Sequence, residues 1–163
     1  MKKYLCILIC FFVCTLSLQA QKGTIPNVKT EKMDGSPMQF REILSDSIPV
    51  ILTFWSTMCK PCIAELDAFS DEYEDLKREL KFKIVAVALD DERTVAKVKA
   101  LVKGHGWPFE ILLDKNQELK RAMNVSMMPQ LFILDKSGKI VYAHTGYTPG
   151  SEAEVIAKVR ELQ

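Results

Sequence analysis

The stretch that decides the fold is Trp55-Ser56-Thr57-Met58-Cys59-Lys60-Pro61-Cys62. It follows an apolar run, 49–55, that is rich in strand-forming residues. After it, apolar side chains recur mostly at intervals of three and four, as on one face of a helix: Ile63, Leu66, Phe69, Tyr73, Leu76 and Leu80. The two cysteines therefore lie where a strand ends and a helix begins. Free N–H groups and the helix dipole lower the pKa of a thiol there, and only a thiolate is nucleophilic, so the motif predicts a redox-active dithiol.

The first twenty residues have the pattern of a secretory signal. Lys2 and Lys3 precede an almost wholly apolar stretch, 4–18, and Ala20 supplies a small residue before the cleavage point. Because the apolar stretch is shorter than the ~18–20 residues that span a bilayer, cleavage is favoured over a permanent anchor. We expect a signal peptide at 1–20, a short flexible leader at 21–27 and one domain at 28–163.

Five cysteines are present, and three of them, Cys6, Cys10 and Cys14, lie in the signal segment. Their four-residue spacing suggests a lipid anchor. None of the three follows the small residue and suitable Leu that bacterial lipoprotein signals require, so a lipid anchor is the less favoured alternative. Cleavage would leave only Cys59 and Cys62.

A pair of cysteines three positions apart does not make a disulfide-stapled scaffold. A Cys59–Cys62 bridge closes too small a loop to restrain the unfolded chain much. A structural zinc site would need about four ligands, and only His105 and His144 could complete it, at spacings that fit no zinc finger. We therefore expect neither a metal nor a cofactor, and both histidines are interpreted as surface or loop residues.

Charge and length limit the possible partners. The 22 Lys and Arg residues nearly balance the 21 Asp and Glu residues, so the chain does not favour nucleic acid or an anionic membrane surface. Without the predicted signal at 1–20, the rest of the 163-residue chain is close to the size of one domain with its own core.

The chain after the leader alternates strand and helix patterns, which predicts a central mixed β-sheet with helices on both faces. The expected elements are, in order, a hairpin of 28–32 and 38–40 turning at Asp34-Gly35, strand 49–55, a helix from Cys59 to about Leu80, strand 83–89, helix 92–103 ended by Gly104, strand 109–113, helix 116–123, a hairpin of 131–134 and 139–143, and a last helix opened by a capping box at 151–154.

From the 34–35 turn to the last helix, and above all at Phe54-Trp55 and Cys59-Lys60-Pro61-Cys62, the chain resembles thioredoxin-fold proteins, specifically exported thiol–disulfide oxidoreductases of the TlpA/ResA type. The segment 90–113 is similar to the α/β insertion that separates this group from plain thioredoxin. The resemblance implies a monomeric periplasmic reductase of disulfides in exported client proteins, such as apocytochrome c in cytochrome c biogenesis. It also implies a membrane thiol carrier as electron donor.

The position of each cysteine predicts its role. Cys59 lies at the exposed start of the helix and is expected to attack, with Lys60 as a nearby cation. Cys62 lies one turn deeper and is expected to resolve the mixed disulfide. Pro61 suits the first helical turn, where no backbone N–H is needed.

The resemblance assigns further site residues. It implies that Met128–Pro129 is a cis bond facing the dithiol and that the Met128 backbone binds an extended substrate. The alternative for Met127 and Met128 is that they fill the core, which we expect of one of the two. The resemblance also implies that Glu65, three positions after Cys62, handles the proton of the buried cysteine.

The sequence departs from its relatives at two positions. Thr53 stands where plain thioredoxin has an Asp, which favours the exported branch. Met58 replaces the usual Trp before the first cysteine, so a flexible thioether takes the place of an aromatic lid. Trp55 is expected to pack in the core near the site, and Glu65 could instead be an ordinary exposed helix residue.

Three other functions compete with a reductase. A peroxiredoxin-like peroxidase fits Pro49 and Thr53, but Ser56 stands where its reactive cysteine would be, and serine cannot replace a thiolate. A DsbA-like oxidant would need a far more stabilised thiolate at Cys59. A non-enzymatic binding module is disfavoured because both cysteines are kept in their active spacing.

Overall fold

The computed structural model of the protein describes residues 23–163. The predicted signal peptide and the first two residues of the predicted leader lie outside the described residues. The elements are β1 Lys29–Lys32, β2 Pro37–Gln39, a 3-10 helix Phe40–Leu44, β3 Val50–Trp55, α1 Lys60–Glu79, β4 Lys83–Ala88, α2 Val95–His105, β5 Glu110–Leu113, α3 Glu118–Ala122, β6 Gln130–Leu134, β7 Ile140–Thr145 and α4 Ser151–Arg160. Within 23–163, no helix combines the length and apolar character needed to cross a membrane.

Seven strands form one mixed sheet in the order β2-β1-β5-β4-β3-β6-β7. The central strands β3, β4 and β5 are parallel, whereas β6 and β7 on one side and β1 and β2 on the other run antiparallel to their neighbours. The predicted insertion supplies α2 and β5, and β5 lies in the sheet between β4 and β1. The predicted mixed sheet is confirmed.

Both faces of the sheet are covered, which explains why β3 and β4 are almost continuously apolar. On β3, Ile51 and Trp55 belong to the core on the side of α1, α2 and α4. Leu52 and Phe54 point the other way, into the core that includes the 3-10 helix and α3. This alternation follows from the two-residue period of a strand. The predicted thioredoxin fold is confirmed by this arrangement.

The packed domain starts earlier than the sequence suggested. The leader was expected to extend through residue 27, but Ile25 is fully buried and its N–H donates to the carbonyl of Gly138 at 3.2 Å. Thr24 forms a bridge with Lys139. Because Ile25 gains apolar burial there, the chain is held against the sheet before Val28.

The predicted end of the second helix was wrong. Gly104 lies inside α2, and the helix ends at His105, followed by Gly106, whose φ of 68° is left-handed. The Gly106 N–H donates to the carbonyl of Val102 at 3.0 Å. The residue after the last helical turn often has a left-handed backbone, which glycine adopts without steric strain. In this chain Gly106, rather than Gly104, occupies that position.

The predicted capping box of the last helix was also wrong. Ser151 is the first helical residue, and Gly150 takes the position before it. The carboxylate of Glu152 accepts the Gly150 N–H at 3.0 Å, whereas Glu154 accepts a hydrogen bond from the hydroxyl of Tyr142. The start of α4 shifted by one residue because the acidic side chain at 152, rather than the serine, satisfies the helix end.

Candidate active site

Cys59 and Cys62 form a disulfide at the junction of β3 and α1. Cys59 precedes the first residue of α1, and its Sγ accepts the N–H of Cys62 at 3.3 Å. Cys59 is half-buried, whereas Cys62 is fully buried. Pro61 lies in the first turn, where its missing N–H leaves no unsatisfied carbonyl. One sulfur can therefore be reached by a partner, and the other lies behind it.

Glu65 is buried one helical turn beyond Cys62, with only 2% of its surface exposed. The hydroxyl of Thr53 on β3 donates to its Oε2 at 2.7 Å. Burial raises the pKa of Glu65 to about 7, the Thr53 hydrogen bond lowers it, and the charge of Glu152 raises it. A carboxyl with this pKa can hold or release a proton near neutral pH. The alternative of an exposed helix glutamate was wrong.

Met128 and Pro129 lie beside the end of β3. Their peptide bond is cis, as predicted. Because Gln130 pairs with Phe54, Pro129 lies level with the last residue of β3, where the dithiol loop begins. The carbonyl of Pro129 accepts the N–H of Gly146 at 2.8 Å, whereas the Met128 N–H and carbonyl have no hydrogen-bond partner among residues 23–163. Met128 packs against both cores, so it is the core filler of the two methionines.

The loop between β3 and α1 is fixed by a residue that sequence reasoning missed. Both the N–H and the hydroxyl of Thr57 donate to the carboxylate of Asp90, at 2.9 and 2.6 Å. Thr57 and Asp90 are each only 7% exposed. The available signal was an Asp directly after a strand buried on both faces, a position where an unpaired carboxylate would be costly.

The insertion packs against the site through two tryptophans. The rings of Trp55 and Trp107 meet edge to face with centroids 5.0 Å apart. The Trp107 indole N–H donates to Oδ1 of Asp67 on α1 at 2.8 Å, and Nδ1 of His105 lies 2.7 Å from the same oxygen. Trp55 is fully buried, as predicted. His105 lies at the surface, and its contact with Asp67 links the end of α2 to α1.

Met58 is open to solvent beside the dithiol. Its side chain is 79% exposed, and Nζ of Lys97 on α2 lies 3.2 Å from its sulfur. An exposed thioether therefore stands where the resemblance led us to expect an aromatic lid. His144 lies on β7 with its ring stacked on Tyr142, away from any cluster of ligands. In the described part of the chain, no three or more His, Cys, Asp or Glu residues are grouped as a metal site.

Comparison with known proteins places this arrangement in a family. A family model described as the AhpC/TSA family matches residues 22–143. The chain belongs to the AhpC/TSA family. Thiol-disulfide oxidoreductase ResA of Bacillus thuringiensis (strain Al Hakam) is 30% identical to this AhpC/TSA member over 131 residues, which cover 80% of this chain and 72% of ResA.

Solved structures of similar proteins agree with the fold. A thioredoxin-like protein from Porphyromonas gingivalis is 46% identical, with a TM-score of 0.76 over 85% of this chain and 90% of that one. StoA of Bacillus subtilis is 24% identical, with a TM-score of 0.65 over 82% of this chain and 97% of that one, and supports the fold alone. The predicted resemblance is confirmed, and this AhpC/TSA protein is a thiol–disulfide oxidoreductase.

Proposed function

We propose that the protein is exported and reduces disulfides in client proteins, with Cys59 as the attacking and Cys62 as the resolving thiol. The observation that carries the proposal is the difference in burial across one disulfide. Cys59 is half-buried at a helix N-terminus, and Cys62 is fully buried behind it. A helix N-terminus stabilises a thiolate, so the accessible sulfur is also the one whose charge is favoured.

The exchange has two steps. The Cys59 thiolate attacks one sulfur of a client disulfide, a Cys59–client bond forms, and the other client sulfur leaves as a thiolate that takes a proton from solvent. The Cys62 thiolate then attacks the Cys59 sulfur, forms the Cys59–Cys62 bond and releases the second client thiol. Two electrons pass from the dithiol to the client, and a membrane thiol carrier returns two electrons by reducing the bridge.

Glu65 serves the second step. Cys62 is buried, and burial disfavours its thiolate, so it needs a base within the protein. The Glu65 carboxyl lies one turn further along α1 and has a pKa raised to about 7 by its burial. It takes the proton of Cys62 when that sulfur attacks.

Met128 and Pro129 position the client. The backbone N–H and carbonyl of Met128, which have no hydrogen-bond partner within residues 23–163, lie just before the start of β6, next to the loop that carries Cys59. An extended client segment pairs with these two groups, as strands do in sheet-augmentation complexes. A single chain suffices for this arrangement, so we propose a monomer.

Export is supported by the signal pattern of residues 1–20. A secreted disulfide oxidoreductase from Mycobacterium tuberculosis has the same fold, with 20% identity and a TM-score of 0.69. We propose a periplasmic location and a role in cytochrome c biogenesis on the basis of the resemblance to the exported group. Separating the cell fractions and locating the protein by immunoblot tests the location.

The reduction potential of the Cys59–Cys62 pair tests the direction of electron flow. A reductase should equilibrate below roughly −200 mV, close to thioredoxin, whereas an oxidant should lie near −120 mV, as DsbA does. Equilibration of the full-length chain in glutathione buffers, with site-resolved mass spectrometry, measures it. A peroxidase is the less supported alternative, because Ser56 occupies the position of its reactive cysteine.

A further inference from the structure

Asp90 is a buried carboxylate whose two oxygens both bind the same residue, Thr57. Oδ2 accepts the N–H of Thr57 at 2.9 Å and Oδ1 accepts its hydroxyl at 2.6 Å. Hydrogen bonds to an ionised acceptor are among the stronger ones in proteins. The two residues are 33 positions apart, so the contact ties the end of β4 to the dithiol loop.

Thr57 lies inside the turn that ends at the attacking cysteine. The N–H of Cys59 donates to the carbonyl of Ser56 at 3.0 Å, which closes the turn around Thr57 and Met58. On the other side, the Leu89 N–H donates to the carbonyl of Trp55 at 2.9 Å. Residues at the end of β4 thus fix the backbone at Thr57, and the hydrogen bond between Ser56 and Cys59 fixes the position of Cys59 relative to it.

The surroundings of Asp90 show that it is not part of a surface ion pair. The next two acidic residues are paired with cations: Asp91 with Arg93 and Glu92 with Lys115. For Asp90, no Lys, Arg or His among residues 23–163 lies within salt-bridge distance. A buried carboxylate without a cation is costly, so its two bonds to Thr57 have to offset that cost.

We propose that Asp90 is a positioning residue for Cys59: through Thr57 it holds the turn so that the Cys59 sulfur stays at the N-terminus of α1, within reach of the Cys62 N–H. The inference rests on the proposed attacking role of Cys59. In the disulfide, the Cys59 sulfur accepts that N–H at 3.3 Å. In the reduced protein, the same N–H faces a thiolate, whose negative charge it stabilises.

The test is the pH profile of Cys59 alkylation by iodoacetamide in the reduced full-length protein, read by mass spectrometry of the peptide that contains Cys59. Asp90→Asn keeps the size of the side chain and can still accept the Thr57 N–H through its one oxygen, but its amide nitrogen cannot accept from the Thr57 hydroxyl, so the two bonds to an ionised carboxylate are replaced by weaker, neutral ones at most. We expect the pKa of the Cys59 thiol to rise and alkylation at neutral pH to slow about threefold, because alkylation follows the thiolate fraction.

Three matched variants separate position from charge. Thr57→Val removes the hydroxyl bond and changes no charge, so the cations near the turn, Lys60 and Lys97, are unaffected. The pH profile of Cys59 alkylation should shift in the same direction as in Asp90→Asn, but by less. Thr57→Ser keeps both bonds and should behave as the wild type. Glu92→Gln makes the same charge change as Asp90→Asn on the exposed surface and should leave the profile unchanged.

An unchanged profile in Asp90→Asn, or a lower pKa of Cys59, would overturn the proposal, since a lower pKa means that Asp90 acts through its charge alone. If Asp90→Asn does not fold, the comparison of Thr57→Val with Thr57→Ser decides. Insulin reduction by the wild-type chain is measured in parallel. Absence of that activity contradicts the proposed function, whereas normal activity with an unchanged Asp90→Asn profile contradicts only the role of Asp90.

Discussion

The hydroxyl of Thr53 on β3 donates a hydrogen bond of 2.7 Å to Oε2 of Glu65 on α1, and both residues are buried. The contact joins β3, which precedes the dithiol loop, to the first turns of α1, which follows it. Burial raises the pKa of Glu65 to about 7, and the Thr53 hydroxyl opposes that rise because it stabilises the carboxylate.

The raised pKa of Glu65 makes stability depend on pH. Its ordinary pKa is 4.5 and its folded value is about 7, so between these values the folded state binds more protons than the unfolded state. The contribution of Glu65 to the free energy of unfolding should therefore be full below about pH 4.5 and fall by about 3 kcal/mol as the pH rises through 7. Urea unfolding from pH 5 to 8 measures this slope.

Glu65→Gln should remove this part of the slope, because the amide does not titrate. Glu72→Gln on the exposed face of the same helix is the control and should keep the wild-type slope. Equal slopes in the wild type and Glu65→Gln would show that Glu65 does not carry a raised pKa.

Thr53→Val should move the pH dependence of the resolving step. The substitution keeps the shape of the side chain and removes the donor to Glu65, so the pKa of the carboxyl should rise further and the reaction should need a higher pH. Stopped-flow measurement of mixed-disulfide resolution gives the profile. Thr53→Ser keeps the hydroxyl and should resemble the wild type. If Thr53→Val shifts the profile equally in a Glu65→Gln background, the shift does not pass through Glu65.

The sequence predicted the site because the relevant patterns are local. The two-residue period of β3 and the helical period after Cys59 place the dithiol at a strand–helix junction, and Cys62 and Glu65 are one turn apart on that helix. The Thr57–Asp90 contact could not be predicted in this way. It joins residues that are distant in sequence, and only the parallel pairing of β3 with β4 brings their ends together.

Helix ends were less predictable for a physical reason. Gly104 and Gly106 have equal conformational freedom, and only the length of α2 decides which one takes the left-handed position. Ser151 is a good N-cap by composition, but Gly150 and the Glu152 carboxylate satisfy that end instead. Local composition therefore gives the presence of a helix more reliably than its last residue.

Met58 should contribute to the recognition of protein clients. Its exposed side chain next to Cys59 would be buried by a docked client, so Met58→Ala should lower kcat/KM for insulin about fivefold through lost apolar contact. Reduction of a small disulfide such as oxidised glutathione should change little. Val141→Ala is the control, because Val141 is an exposed apolar residue near the end of β7 that is distant from Pro129. An equal loss with both substrates would indicate an effect on the dithiol itself.

Trp107 should be a main link between the insertion and the dithiol helix. Trp107→Phe keeps an aromatic ring against Trp55 but loses the hydrogen bond to Asp67, which should cost about 1 kcal/mol of unfolding free energy. Trp107→Ala also leaves a cavity and should cost about 3–5 kcal/mol. Urea denaturation measures both. A cost below 1 kcal/mol for Trp107→Ala would mean that the insertion does not stabilise the site.

Trapping of a client on one cysteine tests the central claim most directly. Full-length Cys62→Ser and Cys59→Ser are each reduced, mixed with insulin and alkylated, and the disulfide-linked peptides are identified by mass spectrometry. Cys62→Ser should accumulate a mixed disulfide through Cys59, because the resolving thiol is absent, and Cys59→Ser should accumulate almost none, because Cys62 is buried. A client attached mainly to Cys62, or normal turnover by either variant, would contradict the assigned roles.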